Sequence, residues 1–364
     1  MNDKGFIGIG VIGAGFARNT QIPAWRACEG ARVVAIASGR RENAEAVAQE
    51  FEIPHVADDW RGVVNNPEVD LVSIVSPPAT HCEIALAALD AGKHVLCEKP
   101  MAMNAREAMQ MRQRAHEAGK LALLDHELRF LPGRLRARDI LQEGEIGAVR
   151  HTKLTFRYDT RADASLPWNW WSDEKAGGGA LGALGSHAID AFRWLLGVEV
   201  LQIFANLVTH VKERPDADGN KRFVSSDDEC NMLLRFADGP WAINATGAVS
   251  LSLTEAGAPE HRLEIFGEKG SLMVEGNGEL WRSEVGQKAW RHVKFDLGEI
   301  APGVSPSGWG RGFTAFSKLI VKALQEGQTT IDGAATFDDG YHAQLVMDAA
   351  RASHEQGSWT KPGK

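Results

Sequence analysis

Residues 6–18 read FIGIGVIGAGFAR, an apolar run that ends in a glycine-containing turn. The run has the composition of a buried strand, and a helical pattern follows it. Two glycines at this spacing let the backbone turn tightly and approach a pyrophosphate, whose charge meets N–H groups at the helix start. The third small position of the fingerprint holds Arg18, so a plain strand–turn–helix unit stays open as the alternative. The residues expected to line a dinucleotide phosphate are Gly13, Gly15, Phe16 and Ala17.

The chain up to residue 126 alternates short apolar runs with amphipathic helical stretches. This alternation predicts an α/β domain with a parallel sheet that is covered on both faces. We therefore assign residues 1–126 to an N-terminal Rossmann domain that binds a dinucleotide. The predicted strands are residues 6–12, 32–37, 71–76, 94–97 and 121–125.

From residue 127 onward, apolar and polar residues alternate within runs that are separated by turn residues. This pattern predicts a C-terminal α+β domain, residues 127–364, built on an open, mostly antiparallel sheet. Helices over residues 187–196 and 313–325 are expected to cover one face of that sheet, and residues 299–310 are expected to form a loop. The predicted strands are residues 151–158, 201–211, 228–236, 241–250, 262–266 and 271–275.

The composition excludes several classes of function. The 364 residues carry a formal net charge of −8, which argues against nucleic acid as a partner, because phosphate binding requires a basic surface. No apolar stretch is long enough to span a bilayer, and no hydrophobic leader is apparent at the N-terminus. The four cysteines share no C-x-x-C spacing, so we expect reduced thiols, no metal site and a cytoplasmic location.

The end of the second predicted strand bears on the choice of cofactor. An acidic residue about 20 positions beyond the glycine turn would bind the ribose 2′-hydroxyl of NAD, and none is present. Ser38, Arg40 and Arg41 stand there instead, and these side chains suit a 2′-phosphate. NADP is therefore expected as the preferred cofactor, with NAD as the alternative, although an arginine pair that opens a helix is also a common surface feature.

Four further motifs follow the glycine turn in order. They are Ser76-Pro77-Pro78-x-x-His81, Glu98-Lys99-Pro100, Arg129-Phe130-x-Pro132 and the glycine-rich segment over residues 177–190, which contains Gly185-Ser186-His187. With these motifs the chain resembles the Gfo/Idh/MocA oxidoreductase family over residues 5–355. The resemblance implies a Rossmann domain joined to an open sheet domain, through which members commonly form homo-oligomers.

The resemblance also implies roles for individual residues. Lys99 would contact cofactor and substrate and exchange a proton with a substrate hydroxyl, and His187 would bind or polarise the substrate oxygen. The family aspartate four residues before this histidine is replaced by Ala183, and Asp190 is a possible substitute that could equally be a helix-start acid. The residues implied to lie around the nicotinamide and its ribose are Ser76, Pro77, His81, Glu98, Lys99 and Arg129.

Trp168 is a candidate substrate contact, since indole rings stack on sugars and donate to hydroxyls, although it could also anchor a loop. The expected function is NAD(P)-dependent oxidation or reduction of a sugar, cyclitol or related polyhydroxylated molecule by a dimer or tetramer. A cofactor-binding regulator of the same fold without net turnover is the alternative.

Overall fold

The computed structural model describes residues 5–363, which divide into two compact units. The first unit comprises the described residues up to Leu131 together with Gly298–Tyr341, and the second comprises Pro132–Leu297 and the residues from His342 onward. The predicted boundary after residue 126 assigned every later residue to the C-terminal domain. In the structure, residues 298–341 cluster instead with the N-terminal unit.

The first unit is built on a parallel sheet of six strands in the order β3-β2-β1-β4-β5-β6. The strands are β1 (Ile7–Ile12), β2 (Ala31–Ala37), β3 (His55–Val56), β4 (Leu71–Ile74), β5 (His94–Cys97) and β6 (Ala122–Leu124). The chain reverses its direction of winding between β1 and β4, which is the Rossmann arrangement. The predicted parallel-sheet domain is therefore confirmed.

Nine α-helices are present among residues 5–363. They are α1 (Ile22–Arg26), α2 (Arg41–Phe51), α3 (Trp60–Val64), α4 (His81–Asp90), α5 (Ala105–Ala118), α6 (Pro132–Gln142), α7 (Ser186–Leu196), α8 (Gly308–Gln325) and α9 (Phe337–Gln356). Within the described residues, no helix combines the length and apolar character that crossing a membrane requires.

Helix α8 corrects one expectation from the sequence. Residues 313–325 were predicted to cover the sheet of the second domain, but α8 packs into the hydrophobic core of the first unit. There the Phe313 ring meets Trp25 edge-on at 5.3 Å between centroids, and Phe316 stacks on Phe130 at 4.5 Å. The helical period reveals that α8 has an apolar face, but not which sheet that face covers. The predicted loop over residues 299–310 also contains the first turn of α8, which Ser307 caps.

The second unit is built on a mixed, mostly antiparallel sheet of eight strands in the order β16-β15-β14-β13-β7-β12-β11-β8. Only the β7–β12 pair is parallel among the pairs of this sheet. A separate two-stranded hairpin is formed by β9 and β10. The bounds are β7 (Val149–Arg157), β8 (Val200–Val208), β9 (Glu213–Pro215), β10 (Lys221–Phe223), β11 (Glu229–Phe236), β12 (Ala242–Ser252), β13 (Glu260–Gly267), β14 (Gly270–Glu275), β15 (Leu280–Glu284) and β16 (Arg291–Val293).

The two faces of this sheet differ in burial. One row of paired residues, Met232, Val249, Leu154 and Leu263, is buried. The next row on the opposite face includes Leu233, which is 50% exposed. Alternate burial along each strand is what a sheet with one covered and one open face requires, so the predicted fold class of this domain is confirmed.

Candidate active site

The carboxyl ends of four parallel strands in the first unit lie along one edge of the sheet. Backbone hydrogen bonds continue across this edge, from Val75 N–H to Ile12 O, from Glu98 N–H to Ile74 O and from Asp125 N–H to Cys97 O. The residues just beyond β1, β4, β5 and β6 therefore face the same crevice, which is where open α/β sheets bind their ligands.

The glycine turn after β1 is tightly packed at Gly13 and open at Gly15. Gly13 has a φ of 114°, and a Cβ atom there would lie 2.4 Å from Val75 O, so a side chain is excluded on both counts. At Gly15 a Cβ atom would have no neighbour within 4 Å, so the backbone is open to a ligand. The residues fit a dinucleotide whose phosphates approach the main chain at Gly15, with the half-exposed Phe16 and the buried Ala17 following in the same turn.

Arg18 and the residues after it do not continue directly into an ordinary α-helix. Residues Ala17–Gln21 form a π-helical turn before α1, and π-helical turns are frequent at functional sites. The Arg18 side chain points to Glu50, with 2.6 Å between Nε and Oε2, so this position forms a surface ion pair. The turn directs Gln21 into the protein, where its side chain is fully buried.

The three residues proposed to select the cofactor lie at and beyond the end of β2. Ser38 is half-buried, and Arg40 and Arg41 are exposed. Arg41 already contacts two carboxylates, Glu45 with 2.7 Å between Nε and Oε1 and Asp58 through Nη1. Arg40 precedes α2 in extended conformation.

His81 is fully buried and connects two loops of the crevice. Its Nε2 lies 2.8 Å from Ser76 O, and its Nδ1 lies 3.0 Å from Pro100 O. Burial lowers the pKa of His81, and the nearby Lys99 charge acts in the same direction. His81 thus holds the Ser76-Pro77 loop and the loop after β5 together, which is a positioning role within the protein.

Glu98 and Lys99 directly follow β5 and are both half-buried. The Lys99 Nζ lies 6.0 Å from the centroid of the Trp309 ring in α8. A cation over an aromatic face is held at a defined position without being neutralised. The sequence indicated Lys99 but gave no sign of Trp309, because the two residues are distant along the chain.

A network of buried polar side chains surrounds Glu98. The Gln21 Nε2 donates to Glu98 Oε1 and to Asp125 Oδ2, each at 2.9 Å, and Ser73 Oγ donates to Gln21 Oε1 at 2.6 Å. Sequence reasoning did not identify Gln21, Ser73 or Asp125 as site residues. A usable signal existed for Asp125, since it is the last residue of a predicted parallel strand, at the ligand-binding edge.

Arg129 is nearly fully buried and is bound within the first unit. Its Nη2 lies 3.2 Å from Asp339 Oδ1, and its Nη1 donates to Gly333 O at 3.3 Å. These contacts join the 3₁₀ turn Glu127–Phe130 to the segment before α9.

His187 and Asp190 lie in the first turns of α7 and are buried in the second unit. Ala183, at the position of the family aspartate, lies in a π-helical turn, Leu181–Gly185, directly before α7. This turn is anchored by Asp227, whose Oδ2 accepts from Leu181 N–H at 2.8 Å. Gly179, with a φ of 117°, leaves room for this carboxylate, because a Cβ atom there would lie 2.3 Å from Asp227 Oδ1.

Trp168 is anchored to the β9–β10 hairpin. Its indole N–H donates to Phe223 O at 3.0 Å, and the Arg222 guanidinium carbon lies 3.2 Å from the centroid of its ring. The indole N–H is thus used by the backbone, and one face of the ring is covered. Trp168 therefore anchors a loop, which was the alternative to a substrate contact. A substrate could contact only the part of the ring that Arg222 does not cover.

The comparisons with known proteins agree with this geometry. Residues 7–126 match the model of the Gfo/Idh/MocA oxidoreductase family with its NAD-binding Rossmann fold, and residues 135–273 match the C-terminal domain of that family. An uncharacterised oxidoreductase of Synechocystis sp., sll0816, is 32% identical over 362 residues, which cover 96% of this chain and 95% of the relative.

Levoglucosan dehydrogenase of Pseudarthrobacter phenanthrenivorans is 31% identical over 351 residues, 89% of this chain and 88% of the relative. A levoglucosan dehydrogenase structure in complex with NADH and levoglucosan superposes with a TM-score of 0.87 at 28% identity, covering 98% of this chain and all of that one. Together with the glycine turn and the Glu98-Lys99-Pro100 strip, these matches show that the chain belongs to the Gfo/Idh/MocA family of NAD-binding oxidoreductases.

Proposed function

We propose that the protein is an NAD(P)-dependent dehydrogenase that acts on a carbinol group of a sugar, a cyclitol or a related polyhydroxylated molecule. The observation that carries the proposal is the joint position of the open Gly15 turn and the Glu98-Lys99-Pro100 strip at one edge of the parallel sheet. The relatives that act on levoglucosan and were solved with levoglucosan or L-sorbose support a sugar as the substrate class.

In this proposal Lys99 transfers the proton of the reaction. A bound nicotinamide supplies the hydride acceptor or donor at its ring carbon. Lys99 takes the proton from the substrate hydroxyl in oxidation and returns it to the carbonyl oxygen in reduction, and Trp309 keeps the side chain in place. Glu98, Ser76 and Pro77 would hold the nicotinamide ribose, while His81 fixes the two loops that carry them.

His187 is proposed as a second residue that binds the substrate oxygen, with Asp190 on the same helix as a supporting carboxylate. Both side chains are buried and both lie in α7, which favours fixed orientations over free rotation. The replacement of the family aspartate by Ala183 leaves Lys99 as the principal proton-transferring residue of this chain.

The experiment that tests this function compares three proteins on a panel of sugars, inositols and sugar acids. The wild type, a Lys99→Met variant and a Lys322→Met control are offered NAD⁺ or NADP⁺, and formation of reduced nicotinamide is followed by absorbance. Lys322 is 70% exposed on α8 of the same unit, so the control carries the same substitution away from the crevice.

We expect the Lys99→Met variant to lose at least about 100-fold in kcat, since general acid–base catalysis contributes roughly 10²–10⁴-fold. Its Kd for the cofactor should change little, and the control should resemble the wild type. Equal turnover by wild type and the Lys99→Met variant would contradict the proposal. Cofactor binding with no turnover on any substrate would favour the alternative, a regulator that binds the cofactor.

We further propose that NADP(H) is preferred and that Arg40 is the residue that recognises the 2′-phosphate. Arg41 is the weaker candidate because its guanidinium is already engaged by Glu45 and Asp58. Relatives solved with NADH support NAD(H) as the second cofactor.

An Arg40→Ala substitution should lower kcat/KM for NADP⁺ about tenfold, because one exposed charge-assisted contact is worth roughly 1.4 kcal/mol. The value for NAD⁺ should stay nearly unchanged. Steady-state kinetics with both cofactors tests this, and Arg41→Ala is the matched comparison, expected to have a smaller effect. A higher kcat/KM of the wild type for NAD⁺ than for NADP⁺ would refute the preference.

A further inference from the structure

The buried network around Glu98 contains a carboxyl pair that the proposed proton transfer does not use. Gln21 and Ser73 are fully buried, and their hydrogen bonds fix the orientation of the Gln21 amide. Because Ser73 Oγ donates to the amide oxygen, both amide hydrogens point away from Ser73, one to Glu98 and one to Asp125. A single neutral amide therefore separates and holds the two carboxyl groups.

The charge in this network is unbalanced if both carboxyl groups are ionised. Asp125 is fully buried, and its Oδ1 has no hydrogen-bond partner among residues 5–363. Glu98 and Asp125 also lie within hydrogen-bonding reach of each other. Two neighbouring carboxylates, one of which is fully buried, do not both ionise readily, because burial and mutual repulsion act in the same direction.

The other titratable groups that face the pair do not supply a second positive charge. Lys99 of the loop after β5 is the cation that acts on both carboxyls, and Glu127 of the following 3₁₀ turn adds negative potential at Asp125. Cys97, at the end of β5, stays a neutral thiol because burial and both carboxyls raise its pKa well above the usual range. Among residues 5–363, Lys99 is thus the cation that acts on both carboxyl groups.

We propose that Asp125 and Glu98 share one proton, and that Asp125 is a positioning residue which keeps Glu98 in place and leaves a single negative charge beside Lys99. Burial raises the pKa of Asp125 well above its usual range, with the Glu98 charge as the next cause, which agrees with this arrangement. The proton itself is a property of the folded chain alone, whereas its effect on turnover rests on the proposed function.

Infrared spectroscopy of the folded protein detects the shared proton without cofactor or substrate. The protein is labelled with ¹³C at aspartate carboxyl carbons, and the carbonyl stretch of protonated carboxylic acids is recorded at pH 8. At that pH Asp227, whose pKa burial raises to about 6, is ionised. We expect an isotope-sensitive band in the wild type that disappears in Asp125→Asn. Absence of the band in the wild type, or its persistence in this variant, would overturn the proposal.

The second test measures how the unfolding constant depends on pH. It distinguishes a proton that the two carboxyl groups share from a proton that Asp125 holds alone. Urea unfolding is measured between pH 6.5 and 8.5 for the wild type, Asp125→Asn, Glu98→Gln and the control Asp332→Asn, an exposed position on a turn of the same unit. The folded state binds one extra proton, so the unfolding constant of the wild type should rise up to about tenfold per pH unit.

Asp125→Asn should lessen this rise by the contribution of one proton, and Asp332→Asn should keep it in full. Glu98→Gln should lessen it in part, because burial still raises the pKa of Asp125 when the like charge is gone. Buried thiols such as Cys97 add the same rise to every variant. A rise in Glu98→Gln that equals the rise in the wild type shows that Asp125 holds the proton by itself and overturns the pairing. Because the two variants are independent, one that fails to fold leaves the other, and the wild-type spectrum, to decide the question.

The effect on Lys99 is read from the pH profile of kcat/KM for oxidation. Above the pH at which the pair loses its proton, the wild type has a second negative charge beside Lys99, which Asp125→Asn lacks. The rise of kcat/KM with pH should therefore move to lower pH by about one unit in Asp125→Asn. An unshifted profile in a variant that has lost the infrared band would refute the positioning role while leaving the proposed function intact.

Discussion

Gly13 and Gly15 are two residues apart in the same turn, yet different constraints require a glycine at each. Gly13 is required by the fold, because its φ of 114° and the backbone of Val75 leave no space for a Cβ atom. Gly15 has an ordinary φ and open space around it, so the fold would accept a side chain there. The space at Gly15 is what the proposed cofactor phosphate would occupy.

Alanine at these two positions should therefore separate folding from cofactor binding. We expect Gly13→Ala to lower the free energy of unfolding by about 1–3 kcal/mol through backbone strain and the clash with Val75. Gly15→Ala should change stability by less than about 1 kcal/mol, but weaken cofactor binding about tenfold, equivalent to roughly 1.4 kcal/mol. Urea unfolding and fluorescence titration with NAD(P)H measure the two effects, and equal Kd values for wild type and Gly15→Ala would contradict the assignment.

At the scale of elements, the π-helical turn Leu181–Gly185 depends on a side chain that lies far away in sequence. Asp227 accepts a hydrogen bond from Leu181 N–H at 2.8 Å, and the backbone of Ala180 donates to Asp227 O at 2.9 Å. Asp227 thereby fixes the element that leads into α7 and His187. The sequence predicted a helix after the glycine-rich segment but no π-helical turn before it. Asp227, which anchors this turn, lies in the loop before β11 and matches no motif.

Asp227 should make the stability of the protein depend on pH in the acidic range. Burial raises its pKa from 3.8 to about 6, so the protonated form is favoured by folding. The protonated carboxyl of Asp227 contributes to the free energy of unfolding below about pH 4, and this contribution is lost as the pH rises toward 6. Two pKa units correspond to about 3 kcal/mol as an upper limit.

An Asp227→Asn variant keeps the acceptor for Leu181 N–H but has no ionisation. Relative to this variant, the wild type should lose unfolding free energy between pH 4 and 6, measured by urea titration at several pH values. Asp218→Asn, at an exposed position in the turn of the β9–β10 hairpin, serves as the control and should follow the wild type. A constant difference between wild type and Asp227→Asn across this range would exclude the shift.

At the scale of the whole molecule, the proposed chemistry does not use the open face of the eight-stranded sheet. Leu233, on β11 beside the edge strand β8, is 50% exposed and pairs with Phe204 on one side and Ala248 on the other. An apolar side chain exposed on the open face of a sheet is a feature of surfaces that pack against another protein surface. We propose that a second copy of the chain covers it, in line with the expected homo-oligomer.

A charge at Leu233 should therefore weaken self-association. In an isologous interface the substitution is present on both copies, and a buried lysine without a partner is costly. We expect analytical ultracentrifugation to give a lower mass for Leu233→Lys than for the wild type at the same concentration. Leu319→Lys is the matched control, since Leu319 is 38% exposed on α8 of the first unit and does not belong to this sheet. Identical masses for all three proteins would disprove this use of the face.

The sequence by itself determined the class of fold. It also identified the candidate site residues that lie within recognisable motifs. The period of each strand, the glycine turn and the Glu98-Lys99-Pro100 strip are local patterns, and local patterns are set by neighbouring residues. Only the tertiary structure placed α8 in the first unit, because an amphipathic face needs an apolar surface but does not specify which one.

The same holds for Gln21, Ser73 and Asp125, which come from three separate segments and meet only when the sheet is assembled. Their chemistry arises from burial and from their distances to one another, and neither property is written in any one segment. The sequence thus decided which chemical groups are available, and packing decided which of them act together.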